Sequence, residues 1–203
     1  MFLVKYLLIF LAVLLLFIEV GCDENDIEPR VVDGHLVPIR RFPHVAFLRI
    51  VLPYGEEHVC GGSIVNQFLL VTAAHCMDNV NLRRNRIWAY VGHENIDEEV
   101  NETPTMWLRS ITQELLDPRF CYRILNGRIP GTFCGGSKHA NRPRPAMGDS
   151  GSGLISKHRE LLGVMSVKSV KSPSVAFYTN VTYFYSWVVK TAQEALQSTC
   201  GHL

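Results

Sequence analysis

From His44 onward the apolar residues arrive in short runs broken by turn residues. His44–Leu52, Ser63–Thr72, Ile87–Val91, Leu154–Ile155 and Leu161–Val167 are examples. Many of these positions are β-branched or alternate apolar with polar, the pattern of short strands laid against a core. The chain is therefore expected to be all-β. Residues 142–148, Arg-Pro-Arg-Pro-Ala-Met-Gly, do not suit the interior of a strand or a helix and read as loop. Only the end changes period. Tyr183, Phe184, Trp187, Val188, Ala192, Ala195 and Leu196 recur at helical spacing, which predicts a terminal helix over Tyr183–Gln197 with Thr182 as its cap.

A length of 203 residues suits one domain or two small halves packed together. Hydrophobic residues make up 47%, enough for a sizeable core. A net charge of +1 offers no concentrated basic face for nucleic acid and no case for a polyanionic surface. At the start, Lys5 precedes the apolar run Tyr6–Ile18, and Gly21 is small enough to mark a cleavage point. Residues 1–21 thus read as a secretory signal peptide. The run is shorter than the ~20 residues a bilayer requires, so no membrane attachment is expected once it is removed. Residues 22–30, acidic and ending at Pro29-Arg30, read as a short propeptide, leaving 31–203 as the mature domain.

Cys22, Cys60, Cys76, Cys121, Cys134 and Cys200 fit an oxidising, extracellular compartment. With no C-x-x-C and no H-E-x-x-H, neither a zinc site nor any other metal or cofactor is expected. Asn101-Glu-Thr103 and Asn180-Val-Thr182 have the N-glycosylation pattern.

Three segments carry chemistry. Arg30-Val-Val-Asp-Gly34 joins a basic residue to a β-branched successor. Val71-Thr-Ala-Ala-His-Cys76 sets a histidine beside a cysteine. Gly148-Asp-Ser-Gly-Ser152 flanks a serine with glycines. A serine hydroxyl attacks a carbonyl only if a base removes its proton, and imidazole, with an ordinary pKa near ~6.5, takes and returns a proton at neutral pH. His75 is the candidate base and Ser150 the candidate nucleophile.

In this order, the segments resemble the trypsin-like serine proteases. The likeness extends to Cys60-Gly-Gly-Ser63, Tyr178-Thr-Asn-Val181 and the terminal helix, and so covers most of residues 31–197. It implies a double antiparallel β-barrel and endopeptidase activity on protein or peptide substrates. It also implies an oxyanion hole from the amides of Gly148 and Ser150. Cleavage after Arg30 by another trypsin-like protease would free the Val31 amine to pair with Asp149. The same resemblance implies the disulfides Cys60–Cys76 and Cys121–Cys134. Cys22 and Cys200 are left, either paired or with Cys22 free.

The sequence also departs from that pattern. His75 and Ser150 are 75 positions apart, where a complete enzyme has roughly 140. By this comparison roughly 60 residues are absent between Phe120 and Cys121, including strands of both barrels and the triad aspartate. The barrel fold is therefore expected to be incomplete, with open strand edges. Asp117 lies near the expected distance after His75, but Pro118-Arg119 follows it rather than an apolar strand. Loss of the orienting aspartate costs about 10⁴ in turnover, so activity is expected to be absent or very low. Arg144 stands where cleavage after Lys or Arg requires an aspartate, Ala146 where a cysteine is usual, and Lys168 where a glycine lines the substrate. These substitutions suit a rival reading, a non-catalytic homologue that binds a partner as a decoy. An incomplete product, from a skipped exon or a faulty gene model, is a third.

Overall fold

The computed structural model describes residues 31–52, 55–78, 80–81, 85–95, 107–139 and 141–200, apart from the side chains of 198–200. The signal and propeptide segments, Arg30, Cys22, Asn101 and the Cys200 side chain lie outside the described residues. No described helix is long and apolar enough to cross a membrane.

The fold is predominantly β, as the short apolar runs predict. The first half is a four-stranded antiparallel sheet in the order β4-β3-β2-β5, from β2 (Val45–Val51), β3 (Glu57–Asn66), β4 (Leu69–Val71) and β5 (Arg86–Val91). The second is a five-stranded sheet in the order β7-β8-β11-β10-β9. Its strands are β7 (Glu114–Leu115), β8 (Thr132–Gly136), β9 (Gly153–Ile155), β10 (Leu161–Lys168) and β11 (Val175–Asn180). A small ribbon pairs β1 (His35–Leu36) with β6 (Arg109–Ser110). Neither main sheet closes on itself among the described residues, so each is an open half-barrel. On edge strand β5, Trp88 and Val91 stay more than half exposed (52% and 53%), the open edge that missing strands predict.

Central strand β2 buries Ala46, Phe47, Leu48 and Ile50, because neighbours flank it on both sides. Leu48 and Ile50 join Cys60, Ala73 and Cys76 in the first core. The second half holds one cluster of Cys121, Cys134, Val175 and Phe177 and another of Met165, Ala176 and Tyr178. Both disulfides implied by the resemblance, Cys60–Cys76 and Cys121–Cys134, are formed, each within a core cluster.

Three local expectations need correction. The apolar run Ser63–Thr72 is not one strand: β3 stops at Asn66, whose Oδ1 accepts from the Phe68 amide (2.8 Å), and the chain turns into β4. The terminal helix, α2, spans Tyr185–Cys200 and starts later than predicted. Asn180 rather than Thr182 holds the turn before it, accepting from the Tyr183 amide at 3.1 Å. Thirdly, the Phe120–Cys121 junction is not a break in space. Helix α1 (Pro118–Ile124) runs through it, and β7 just before already pairs with β8. The passage from first to second half therefore lies upstream of Glu114.

Asp117 is the N-cap of α1. Its exposed carboxylate accepts from the Arg119 amide at 2.7 Å, and Pro118 follows where a missing N–H costs nothing. That employment accounts for the residue without a catalytic role. Asp117→Ala is expected to lower stability by about 1 kcal/mol in urea unfolding and to leave reactivity at Ser150 unchanged.

Candidate active site

His75 sits on a 3-10 turn, Ala74–Met77, that follows β4 directly. The Cys60–Cys76 disulfide ties this turn to β3, and His58 Nε2 lies 3.0 Å from the Cys76 carbonyl as a second tie. A ring nitrogen of His75 lies within 4.8 Å of both bridged sulfurs. That trio has the residue types of a metal site, but sulfurs bonded to each other supply no thiolate ligand. His75 is exposed, yet the part of the ring it does bury loses water, and this holds its pKa below 6.5. The Asp78 carboxylate opposes the shift, and His58 adds to it. The imidazole is therefore neutral, and able to accept a proton, at neutral pH.

Ser150 lies on the loop before β9, and that loop rests on β3. The Gly61 amide donates to the Ser150 carbonyl at 2.7 Å, which crosses from one half to the other. Gly61 must be glycine for this approach: a Cβ there would stand 2.1 Å from Ser152 Oγ. Thr72 completes the seat by donating its hydroxyl to the Gly61 carbonyl at 2.7 Å. On the far side, Gly151 N donates to Met165 O and Met165 N to Ser152 O, at 2.7 and 2.8 Å, so the loop is stitched to β10 as well. The Ser150 carbonyl also lies 3.7 Å from Cys76 Sγ, which puts the Ser150 backbone against the neighbour of His75. The loop and the turn are thus brought together, although among the described residues no hydrogen bond joins the His75 ring to the Ser150 hydroxyl. Catalytic hydrogen bonds of free enzymes are often loose and tighten only with substrate.

Gly148 adopts φ 88° and Gly151 φ 91°, backbone states that favour glycine and make the sharp bend around Ser150. Among the described residues the amides of Gly148 and Ser150 donate to nothing, as a pair reserved for an oxyanion requires. Asp149 points the other way. It is buried (8% exposed), and its Oδ2 accepts from Val31 N at 3.0 Å and Ala146 N at 2.8 Å. Val31 is held by a further clasp, since Val32 and Arg144 exchange both backbone hydrogen bonds at 2.9 and 3.1 Å. Burial and the Asp149 charge together raise the Tyr178 pKa, keeping that phenol neutral.

The sequence segments did locate the turn and the loop, and they picked out Gly148, Asp149 and Val31. They did not single out His58, Gly61 or Thr72 as supports, nor Asp78 beside His75. Arg144 and Lys168 are both half-buried. Arg144 spends its backbone on Val32, and Lys168 ends β10 opposite Ala176. Among the described residues no carboxylate hydrogen-bonds to the His75 ring.

Comparison with known proteins bears on the family and the fold. The trypsin family pattern matches residues 31–119 and again 101–188. Granzyme F of Mus musculus is 35% identical over 69 residues, 34% of this chain but only 25% of that protein. Among solved structures, HL collagenase has a TM-score of 0.66 at 19% identity, over 80% of this chain and 98% of that one. The scabies mite inactivated protease paralogue S-I1 has a TM-score of 0.62 at 16% identity, over 79% and 99%. Identities that low show the fold alone. With the family pattern running from residue 31 to 188 on this shared fold, the chain belongs to the trypsin family.

Proposed function

We propose that this chain is a weak, secreted serine endopeptidase that uses Ser150 as nucleophile and His75 as general base. The observation that carries the reading is the seating of the Ser150 loop on β3, with its carbonyl on Gly61 N and against Cys76 while the Gly148 and Ser150 amides stay free. His75 removes the Ser150 proton as Oγ attacks the scissile carbonyl of a protein or peptide substrate. The two amides hold the oxyanion, and the imidazolium returns its proton to the leaving amine. Water, deprotonated by His75, then releases the acyl group and regenerates Ser150. Without a carboxylate hydrogen-bonded to the imidazole, turnover is expected to be about 10⁴-fold below that of a complete triad.

Activation follows from the Val31 geometry. In the intact chain Val31 holds φ 52°, a left-handed conformation that costs a β-branched residue about 1–2 kcal/mol. Cleavage after Arg30 by a trypsin-like protease frees Val31 N from the peptide bond that fixes this φ and places an ammonium on buried Asp149. The six cysteines and the apolar segment at residues 6–18 support secretion.

Arg144 and Lys168 favour a second reading, a decoy that binds without cutting. A fluorophosphonate probe separates the two. After cleavage at Arg30, the reading predicts slow labelling that Ser150→Ala abolishes. The rate should rise with pH and reach half its maximum below pH 6.5, because the lowered His75 pKa leaves the base neutral there. Folded chain that takes up no probe would favour the decoy.

A further inference from the structure

The His75 ring lacks a hydrogen-bonded carboxylate among the described residues, and Asp117 is committed to capping α1. Another carboxylate stands nearer in sequence. Asp78 closes the turn that carries His75: its amide donates to the His75 carbonyl at 3.1 Å. Asp78 is the C-cap of Ala74–Met77, with φ −62°, and this i to i+3 hydrogen bond sets it over His75 on the same side of the turn, since residues three apart in such a turn eclipse. The disulfide and the His58–Cys76 contact pin the turn from behind, so the base and this carboxylate share one fixed support.

We propose that Asp78 is a positioning residue for His75, its carboxylate favouring the imidazolium that forms when Ser150 gives up its proton. The proposal rests on the endopeptidase reading for its role in catalysis. Among the described residues Asp78, from its own turn, raises the proton affinity of His75, and His58, from β3, lowers it. Asp149, the carboxylate beside the nucleophile, is turned away to Val31 and Ala146 and does not replace Asp78. Both Asp78 and His75 are exposed, so water and salt screen the pair. Asp78 is therefore a weaker aid than a buried carboxylate, and its effect depends on ionic strength.

The test is an NMR titration of the histidine rings in the full chain cleaved at Arg30, together with phosphonylation rates. Asp78→Asn is expected to lower the His75 pKa by about 0.5 unit or more and to slow phosphonylation about three- to tenfold. Asp78→Glu should restore most of both. The remote exposed Glu194→Gln should change neither. At about 1 M salt the difference between Asp78→Asn and the unsubstituted chain should shrink. An Asp78→Asn chain whose His75 pKa and labelling rate match the unsubstituted chain overturns the proposal. If the unsubstituted chain takes up no probe, the endopeptidase reading fails by itself, and the titration alone decides whether Asp78 acts on His75.

Discussion

Gly151→Ala should lower stability by about 3–5 kcal/mol. A Cβ at Gly151 would stand 2.2 Å from the Gly61 carbonyl and 2.2 Å from Thr72 Oγ1. No flexible side chain yields there without loss, because the Gly61 carbonyl belongs to β3 and the Thr72 hydroxyl is bonded to that same carbonyl. The residue also holds φ 91°, which an L side chain resists. Both penalties fall where the Ser150 loop of the second half rests on β3 of the first. For a domain whose whole stability is about 5–15 kcal/mol, that is enough to unfold much of the population on mild heating. Urea unfolding followed by circular dichroism measures it. Gly127→Ala, where an added Cβ meets nothing within 4 Å, is the control and should shift stability by no more than about 0.5 kcal/mol. If Gly151→Ala unfolds at the same urea concentration as the control, the loop does not rest on β3.

Asp149→Ala is expected to cost about 3–5 kcal/mol and to abolish reactivity at Ser150. Two backbone amides, Val31 N and Ala146 N, rely on Asp149 Oδ2. Truncation leaves both without that acceptor, Ala146 N in a buried place and Val31 N in a half-buried one, and each such loss is worth about 1.5–3 kcal/mol when the acceptor is charged. The consequence for function is separate from the stability cost. Ala146 and Gly148 stand on the bend that carries the amides proposed to hold the oxyanion, so releasing Asp149 releases that bend. Asp149→Asn keeps an acceptor oxygen and loses the charge, and should fall between the two on both measures. Thermal unfolding and probe labelling together report the effect. An alanine variant that labels at the rate of the unsubstituted chain would show that the bend holds itself.

Much of this site was legible because its chemistry admits few residue types. A histidine next to a cysteine and a serine flanked by glycines singled out His75 and Ser150 as candidates, and the Gly61-Gly62 pair was visible as part of the same likeness. What hid the rest was distance along the chain. The seat of Ser150 depends on Gly61 and Thr72, which adjoin it only after both sheets form. Leu116-Asp-Pro-Arg-Phe120 carried two signals. Its distance after His75 suggested the first half, whereas Asp before Pro is a helix start. The fold obeys the local signal, and the two-residue strand Glu114–Leu115 that anchors it to Gly135 and Gly136 is too short to show any alternation. Thr182 reads as the cap because it adjoins the helical period, although asparagine is the stronger capping residue and Asn180 holds the turn. Asp78 was in view at His75 plus three, but only a 3-10 turn makes that spacing meaningful.

Native-state hydrogen exchange at the Gly61 amide asks most directly whether two open sheets still assemble one site. That amide is bonded across the halves, to the Ser150 carbonyl at 2.7 Å. Protection equal to that of the Leu48 and Ile50 amides in β2 is the expected result, because the serine loop and the first core then open as one unit. Exchange at the rate of an exposed loop would contradict it, and would mean that His75 and Ser150 sit on separate surfaces.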